Sequence, residues 1–226
     1  MPDVLPRPSV LLFDVNETLS DMAPIAHRFA EVGAPGSLAA TWFAGVLRDG
    51  FALAVGGVSA PFAEIGAEGL RALLTGCSLD RPVEEAVKHV MTGFTGLDVH
   101  PDVHAGIPQL AGLGLRLVTL SNGAASVARS LLDRAGLTGH FEEPMSVEDA
   151  GVWKPARAAY AHGCDRVGVD AADAMLVAVH PWDVDGASRA GLTTCWIDRT
   201  GAPYPSYFRA PDLTATGLDD LARQLA

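Results

Sequence analysis

Four short runs of apolar, β-forming residues are separated by stretches with helical features, and this alternation limits the folds open to the chain. The runs cover residues 10–13, 115–120, 174–179 and 193–197. Each run is apolar almost throughout, which is typical of a strand buried on both faces. Strands that alternate with helices form parallel sheets with right-handed crossovers. The sequence therefore predicts an α/β fold with a doubly wound parallel sheet.

The section between the first two runs has a different character. Residues 22–99 contain no buried, β-branched run, and Gly and Pro residues divide them into helical stretches. The helices predicted there cover residues 23–32, 38–49, 61–74 and 80–92. The predicted domain organisation is an α/β core of residues 1–21 and 100–226, with a helical segment of residues 22–99 inserted after the first strand.

Composition limits the partners of the chain. Of its 226 residues 49% are hydrophobic, and the formal net charge is -11. An acidic chain of this kind is not expected to bind nucleic acid or an anionic membrane surface. No uninterrupted apolar run approaches about 18 residues, so no membrane span is expected. The N-terminus lacks the basic and apolar regions of a signal peptide. Cys77, Cys164 and Cys195 are far apart, and we expect reduced thiols in a cytoplasmic protein.

Polar residues follow directly after three of the predicted strands. Asp14 follows the first, Ser121 and Asn122 follow the second, and Asp183 comes shortly after the third. Parallel strands end on the same edge of a sheet, and ligands bind at that edge in open α/β folds. Lys154 stands just before a proline at a predicted helix start, in an extended or turn conformation. These side chains are predicted to share one crevice.

Each of these residues also has an ordinary structural interpretation. Asp14 is either a turn or capping residue or a nucleophilic carboxylate that forms a covalent ester. Ser121 and Asn122 can simply form a turn and a helix cap. Lys154 can be a solvated lysine, and Asp183 can be a first-turn acid that matches the helix dipole. Their joint order and spacing, rather than any one of them, favour a catalytic site.

The combination resembles the haloacid dehalogenase superfamily. The motifs are FDVNETL at the first strand, Ser-Asn-Gly after the second, then Lys-Pro, then an Asp after a further strand, and they extend to TCWIDRTG. Within the superfamily the chain is similar to the L-2-haloacid dehalogenase (type II) branch. The resemblance implies a Rossmann-like core and a helical cap, matching residues 22–99, that closes over the substrate.

The resemblance also implies an activity, the hydrolytic dehalogenation of short 2-haloacids to 2-hydroxyacids without a metal or an organic cofactor. Asp14 matches a nucleophile that displaces halide and forms an aspartyl ester, which water then hydrolyses. Asp183 matches the acid that positions or activates this water, and Lys154 matches the lysine that keeps both carboxylates ionised. A homodimer is compatible with the resemblance. The further candidate substrate-binding residues are Asn16, Thr18, Trp42, Phe43, Ser121, Asn122, Tyr160 and His180.

The chain departs from the type II pattern on the side that grips the substrate. Phe43 follows Trp42 where the family has an arginine, and Arg48 on the same predicted helix is a candidate replacement. Ala178 and His180 replace a serine and an asparagine of the family. His180 is either a structural histidine or a site residue that bonds substrate carboxylate, water or halide, with a charge that can switch near neutral pH. These changes predict an altered substrate range.

Three other functions remain open. Mg²⁺-dependent phosphatases of the superfamily carry a second Asp two residues after the nucleophile and an acid four residues before the last one, but this chain has Asn16 and Val179 at those places. The same ester chemistry can also open another electrophile, such as a strained-ring carboxylate. A binding or scaffold protein on a decayed fold is disfavoured, because an unused buried charge cluster is unfavourable to retain.

Overall fold

A single parallel sheet forms the centre of the protein. The computed structural model describes residues 7–226, and the order of its six strands is β3-β2-β1-β4-β5-β6. The predicted doubly wound parallel sheet is confirmed. The strands are β1 (Val10–Phe13), β2 (Arg116–Ser121), β3 (Pro144–Ser146), β4 (Ala174–Ala178), β5 (Thr193–Ile197) and β6 (Leu213–Ala215).

Helices cover both faces of this sheet. The helices are α1 (Pro24–Ala30), α2 (Leu38–Val55), α3 (Phe62–Leu74), α4 (Val83–Thr95), α5 (Pro101–Gly112), α6 (Ala125–Ala135), α7 (Arg157–Val167), α8 (Pro181–Ala190) and α9 (Leu218–Leu225). Side chains alternate between the faces of a strand. Leu11 and Phe13 therefore pack with α5, α6 and α9, and Val10 and Leu12 pack with α7 and α8.

The register of the three central strands places their ends at one level. Phe13, the last residue of β1, pairs with Thr119 of β2 and with Val177 of β4. Asp14 follows at once, and its backbone amide donates to the carbonyl of Val177 (3.1 Å). The side chain of Asp14 is thus held at the middle of the carboxyl edge of the sheet.

The chain leaves the sheet layer and returns to it at neighbouring points. The amide of Asp21 donates to Asp98 (2.9 Å) and the amide of His100 donates to Leu19 (2.9 Å), and Ser20 forms an antiparallel bridge with Val99. Helices α1 to α4 lie between these two crossings. Residues 22 and 99, the predicted bounds of the helical segment, lie next to this pairing, and the division into two domains stays a prediction.

Helix α2 runs six residues beyond its predicted end at Asp49. Gly50, a poor helix residue, follows the predicted end. In the structure Gly50 is buried, and a Cβ added to it would lie 2.3 Å from the ring of Trp153. The glycine therefore serves the packing of α2 against the core and does not end the helix.

One helix of the described part of the chain, α2, has the length and composition of a membrane-spanning helix. Its side chains Trp42, Phe43 and Val46 are buried within the protein. Core helices of globular proteins share that length and composition, so these two properties alone are weak support for a span.

Candidate active site

Asp14 lies buried at the start of a tight turn that presents its carboxylate to the centre of the edge. Its Oδ2 accepts a hydrogen bond from the hydroxyl of Thr18 (2.7 Å). That hydroxyl in turn accepts from the amide of Val179, the residue after β4 (3.1 Å). The turn is closed by the amides of Leu19 and Ser20, which both donate to the carbonyl of Val15. The loop thereby fixes the orientation of the Asp14 carboxylate.

Lys154 lies between two carboxylates. Its Nζ is 2.9 Å from Oδ1 of Asp14 and 2.6 Å from Oδ2 of Asp183. The side chains of Lys154 and Asp183 have no exposed surface, and that of Asp14 is 5% exposed. A buried lysine is tolerated where carboxylates within hydrogen-bond distance balance its charge. The ordinary interpretation of Lys154 as a solvated lysine is therefore wrong.

Asn122 holds the backbone of Lys154 in place. Its Oδ1 accepts from the amide of Lys154 (2.9 Å), and its Nδ2 donates to the carbonyl of the same residue (3.2 Å). Ser121, the last residue of β2, caps the following turn, because its hydroxyl accepts from the amide of Gly123 (2.9 Å). The structure thus places both residues beside the cluster, where Asn122 positions the lysine.

The charges of the cluster shift its pKa values in different directions. Burial alone would raise the pKa of Asp14, but the Lys154 ammonium and the His180 ring outweigh burial and hold it below its ordinary value of 3.8. Burial alone would lower the pKa of Lys154, and the two carboxylates hold it above 10.5. Burial and the charge of Asp14 raise the pKa of Asp183 despite Lys154. Asp14 is thus the carboxylate whose charged form is favoured, as a nucleophile requires.

Both carboxylate oxygens of Asp183 are already engaged. Oδ2 receives Lys154, and Oδ1 lies 2.6 Å from the hydroxyl of Tyr160, a residue of α7. Burial and the neighbouring Asp183 raise the pKa of Tyr160 well above 10, so its hydroxyl keeps its proton and donates. A Cβ on Gly186 would lie 2.6 Å from this hydroxyl. Gly186 therefore allows α7 and α8 to approach closely enough for the contact.

Lys154 contacts Oδ1 of Asp14, whereas His180 lies near Oδ2. Its Nε2 lies 3.6 Å from Oδ2 of Asp14 and 3.7 Å from Oε2 of Glu17. The same nitrogen is 3.1 Å from the backbone carbonyl of Asn16. The structure thus brings His180 and the Asn16 backbone into the site.

Aromatic rings hold the imidazole of His180. Its ring stacks on Trp182, with centroids 5.0 Å apart, and lies 6.1 Å from the ring of Phe43. Phe43 and His180 also line a cavity of about 510 Å³ that extends between α1, α2 and the sheet edge. Glu17, Trp196 and Arg199 contribute to its other walls. Asp14 itself does not line the cavity, which lies beyond His180 and Glu17.

Two candidate substrate-binding residues of the helical segment, Trp42 and Arg48, lie away from Asp14. Trp42 is buried inside that segment, where its Nε1 donates to the carbonyl of Gly66 (2.9 Å) and its ring packs on Phe29 and Phe94. Arg48 pairs with Asp49, and its side chain is 75% exposed. The structure does not bring either residue to Asp14, so Arg48 does not replace the missing arginine.

Sequence reasoning missed three residues of the site. Glu17 stands in the nucleophile loop with a φ of 62°, a conformation unusual for a residue with a side chain. Trp182 stacks on His180, and Gly186 admits Tyr160. Glu17 could have been found from the sequence, because it lies only three residues after Asp14. The roles of Trp182 and Gly186 depend on tertiary packing and leave no local pattern.

No group of three or more His, Cys, Asp or Glu side chains within residues 7–226 is arranged so that it could hold a metal ion. The space between Asp14 and Asp183 is filled by the ammonium group of Lys154. The two carboxylates therefore share an internal cation.

Known proteins with this architecture include several dehalogenases. Haloacetate dehalogenase H-2 of Moraxella sp. (strain B) is 32% identical over 133 residues, which make up 59% of each chain. The chain thus matches little more than half the length of that relative. The (S)-2-haloacid dehalogenase of Pseudomonas putida is 24% identical over 219 residues, 95% of each chain.

Solved structures extend the similarity over almost the whole chain. The L-2-haloacid dehalogenase from Xanthobacter autotrophicus with chloropropionic acid covalently bound has a TM-score of 0.85 and 25% identity, and the match covers 96% of this chain and 98% of that one. A dehalogenase with an intermediate complex has a TM-score of 0.91 and 25% identity, with 99% of both chains covered.

A family description agrees with these matches and with the geometry. The description "haloacid dehalogenase-like hydrolase" matches residues 8–191, which include Asp14, Lys154 and Asp183. The match thus takes in the whole charged cluster and the helical segment that follows its nucleophile loop. The resemblance found in the sequence is confirmed, and the chain belongs to the haloacid dehalogenase-like hydrolases.

Proposed function

We propose that this protein hydrolyses short 2-haloalkanoic acids to 2-hydroxyacids through an ester formed on Asp14. The observation that carries the proposal is the state of the Asp14 carboxylate. It is buried, its pKa is held below 3.8, and it is fixed by Lys154 and Thr18 beside an open cavity. A carboxylate that is ionised but poorly solvated is a strong nucleophile for carbon.

The first step is a displacement at C2 of the substrate. An oxygen of Asp14 forms a bond to C2 as the carbon–halogen bond breaks, and the halide leaves with the bonding electrons. The product is a neutral aspartyl ester. Lys154 remains 2.9 Å from Oδ1, where its charge stabilises the oxyanion that forms when water later attacks the ester carbon.

Asp183 and Tyr160 act on Lys154 in this proposal. Asp183 accepts from both of these residues and has no exposed surface. It therefore serves as the counter-ion that fixes the ammonium group, and the expectation that it also positions or activates water stays a prediction. The hydroxyl of Tyr160 fixes Asp183 in turn.

The substrate reaches Asp14 from the cavity beside Phe43 and His180. The cavity of about 510 Å³ exceeds the needs of a three-carbon acid, so water can accompany the substrate. Phe43 supplies an apolar wall where the family has a guanidinium group. Ser121 ends β2 at the same sheet edge, and its hydroxyl accepts from the amide of Gly123. We propose that this hydroxyl donates its proton to the substrate carboxylate.

Halide release from the purified protein tests this function. The substrates are both enantiomers of 2-chloropropionate, chloroacetate and fluoroacetate, with EDTA present throughout. We expect steady halide release by the wild-type protein and none above background by Asp14→Asn. The exposed Asp149→Asn variant is the control for the loss of one carboxylate.

Two outcomes contradict the proposal. Halide release that persists in Asp14→Asn would exclude the ester on Asp14. No release from any substrate by the folded wild-type protein would exclude this substrate class. Strained-ring carboxylates, and phosphate esters with Mg²⁺, would then be assayed with the same two proteins.

A further inference from the structure

Trp153, the residue before Lys154, packs inside the helical segment although it lies in the chain between β3 and α7. Its indole Nε1 donates to the carbonyl of Ala60, which lies between α2 and α3 (3.1 Å). Its ring stacks on that of Phe62, the first residue of α3, with centroids 5.9 Å apart and planes 6° from parallel. Trp153 is only 1% exposed. Helices α2 and α3 therefore enclose the ring of a residue that is directly bonded to Lys154.

Gly50 of α2 leaves the space that this ring fills. A Cβ at Gly50 would lie 2.3 Å from Cε3 and 2.4 Å from Cζ3 of Trp153, far inside van der Waals contact. Glycine is an unfavourable residue in the interior of a helix. The chain nevertheless has it at the one point of α2 where the indole ring packs, so the position of the ring depends on the absence of a side chain there.

The same side of α2 also contacts two other residues near the charged cluster. The ring of Phe43 lies 6.1 Å from that of His180, and the ring of Phe51 lies 4.9 Å from that of Trp182. Residues seven or eight apart in a helix lie on one side of it, so these contacts and the glycine share a face. Trp182 directly precedes Asp183. One face of α2 thus packs on the chain neighbours of the cluster.

The backbone of Lys154 is held from two parts of the molecule. Asn122 binds its amide and its carbonyl (2.9 and 3.2 Å) from the sheet edge. Trp153 holds the preceding residue from the helical segment, and its carbonyl accepts from the amide of Ala156 in the turn that carries the lysine (3.0 Å). A displacement of the indole ring therefore moves that turn. The 2.9 Å contact of Nζ with Asp14 depends on the position of the turn.

We propose that Trp153 is a positioning residue, whose packing between α2 and α3 fixes the ammonium group of Lys154 against the nucleophile. The docking of the helical segment on the sheet and the placement of this ammonium group are then coupled through a single side chain. The catalytic meaning of this inference rests on the proposed function, whereas the positioning itself does not.

The charge of Asp14 reports the position of Lys154. Burial raises the pKa of Asp14, and the Lys154 ammonium makes the largest of the opposing contributions that hold this pKa below 3.8. A retreat of the ammonium group weakens its attraction for the carboxylate, while burial stays the same. The pKa of Asp14 should therefore rise in any variant that displaces Lys154.

Gly50→Ala tests this coupling without removing a group of the cluster. We expect the Asp14 carboxyl to titrate about 1 pH unit or more higher than in wild type, measured by NMR on protein labelled with ¹³C at the aspartate carboxyl groups. Asp14→Asn identifies the signal. Gly45→Ala, on the same helix with nothing within 4 Å of the new methyl group, should titrate as wild type. The variant keeps all the titratable groups around Asp14, which are Lys154, His180, Glu17, Asp183 and Tyr160.

Trp153→Phe tests the ring itself. The change keeps an aromatic ring but removes the hydrogen bond of Nε1. Trp42→Phe is the matched control, because Trp42 is a buried tryptophan of the same segment whose Nε1 also donates to a backbone carbonyl. A purely structural role would lower the stability of both variants and leave the Asp14 titration alone. We expect the pKa of Asp14 to rise in Trp153→Phe and to stay at its wild-type value in Trp42→Phe.

The kinetic counterpart is the acidic limb of the pH profile for halide release. A protonated Asp14 cannot attack carbon. Gly50→Ala and Trp153→Phe should therefore lose kcat/KM at a higher pH than wild type, by the same interval as the ¹³C titration, whereas Gly45→Ala should follow the wild-type profile.

The remaining outcomes are also decisive. An unchanged Asp14 titration in folded Gly50→Ala and Trp153→Phe would overturn the inference. A rise in Gly50→Ala alone would show that α2 acts through another contact, which overturns the role of Trp153. If one of the two variants does not fold, the other decides. A wild-type protein that releases no halide would remove the proposed function, and the ¹³C titrations would still test the positioning.

Discussion

The two sides of Asp14 are built differently. On one side Lys154, Asp183 and Tyr160 form a closed chain of contacts between 2.6 and 2.9 Å, all of them buried. On the other side His180 contacts two carboxylates at 3.6 and 3.7 Å, next to a large cavity. Lys154 on the closed side makes the larger contribution to keeping the nucleophile ionised and His180 a smaller one, whereas the open side leaves room for substrate and water. The contacts that hold the nucleophile are thus rigid. We expect substrate selection to depend on the open side, where this chain departs from the type II pattern.

The largest effect is expected from Lys154→Met on the closed side. The change leaves two buried carboxylates facing each other, so halide release should vanish and the free energy of unfolding should fall by about 3–5 kcal/mol. Urea unfolding measures the stability. The double variant with Asp183→Asn should regain part of it because one charge is removed, and the exposed Lys88→Met should resemble wild type. If Lys154→Met were as stable as wild type, Lys154 would not be the buried counter-ion of the two carboxylates.

A smaller change to the same side is Gly186→Ala. The new methyl group would lie 2.6 Å from both the Tyr160 hydroxyl and Cβ of Pro155, and the overpacking should lower stability by about 1–3 kcal/mol. We expect kcat to fall more than tenfold, because Asp183 loses its second partner. Gly45→Ala, which has nothing within 4 Å of the new methyl group, is the matched control. Wild-type kcat in Gly186→Ala would show that Tyr160 does not support the reaction.

On the open side, Phe43→Leu should change selectivity more than rate. A smaller apolar wall should favour 2-chlorobutyrate over chloroacetate by up to about tenfold in kcat/KM, the scale of one or two methylene groups. Phe94→Leu, in the interior of the helical segment, is the control with a similar loss of volume. An unchanged preference would mean that Phe43 does not contact the substrate.

The smallest effect concerns stability at alkaline pH. The pKa of Lys154 is raised above 10.5 in the folded protein, so the stability that it contributes is fully present below about pH 10.5 and is lost as the pH rises through the folded value. The urea midpoint should therefore fall further between pH 9 and pH 11.5 for wild type than for Lys154→Met. An equal fall in both proteins would contradict the raised pKa.

Much of the sheet was predictable because its strands are short apolar runs with polar residues at their ends. Residues 193–197 were predicted with the bounds of β5, and β1 was predicted as found. Strand β6 was missed, because Leu213–Ala215 is three residues long and half exposed, without the apolar run that marked the others. Helix α4 was predicted to begin at residue 80, three residues before its observed start at Val83.

The site was predictable as a set of residues but not as a set of contacts. The order of Asp14, Lys154 and Asp183 in the chain suggested one crevice, since parallel strands end together. The burial of Lys154 and the stacking of His180 on Trp182 arise from segments far apart in the chain. No local pattern encodes such distances, which is why the direction in which Nε2 of His180 points could not be derived from sequence.

The pairing of Ser20 with Val99 has a consequence for how such a protein can evolve. Both junctions of the α1–α4 segment lie in hydrogen-bond contact with each other, so a replacement of any length closes on the same two points without stretching the sheet. The α1–α4 segment can therefore be replaced or remodelled during evolution while the α/β core stays the same. The reacting carboxylate is inherited unchanged, and new specificities can be explored without redesigning the reaction.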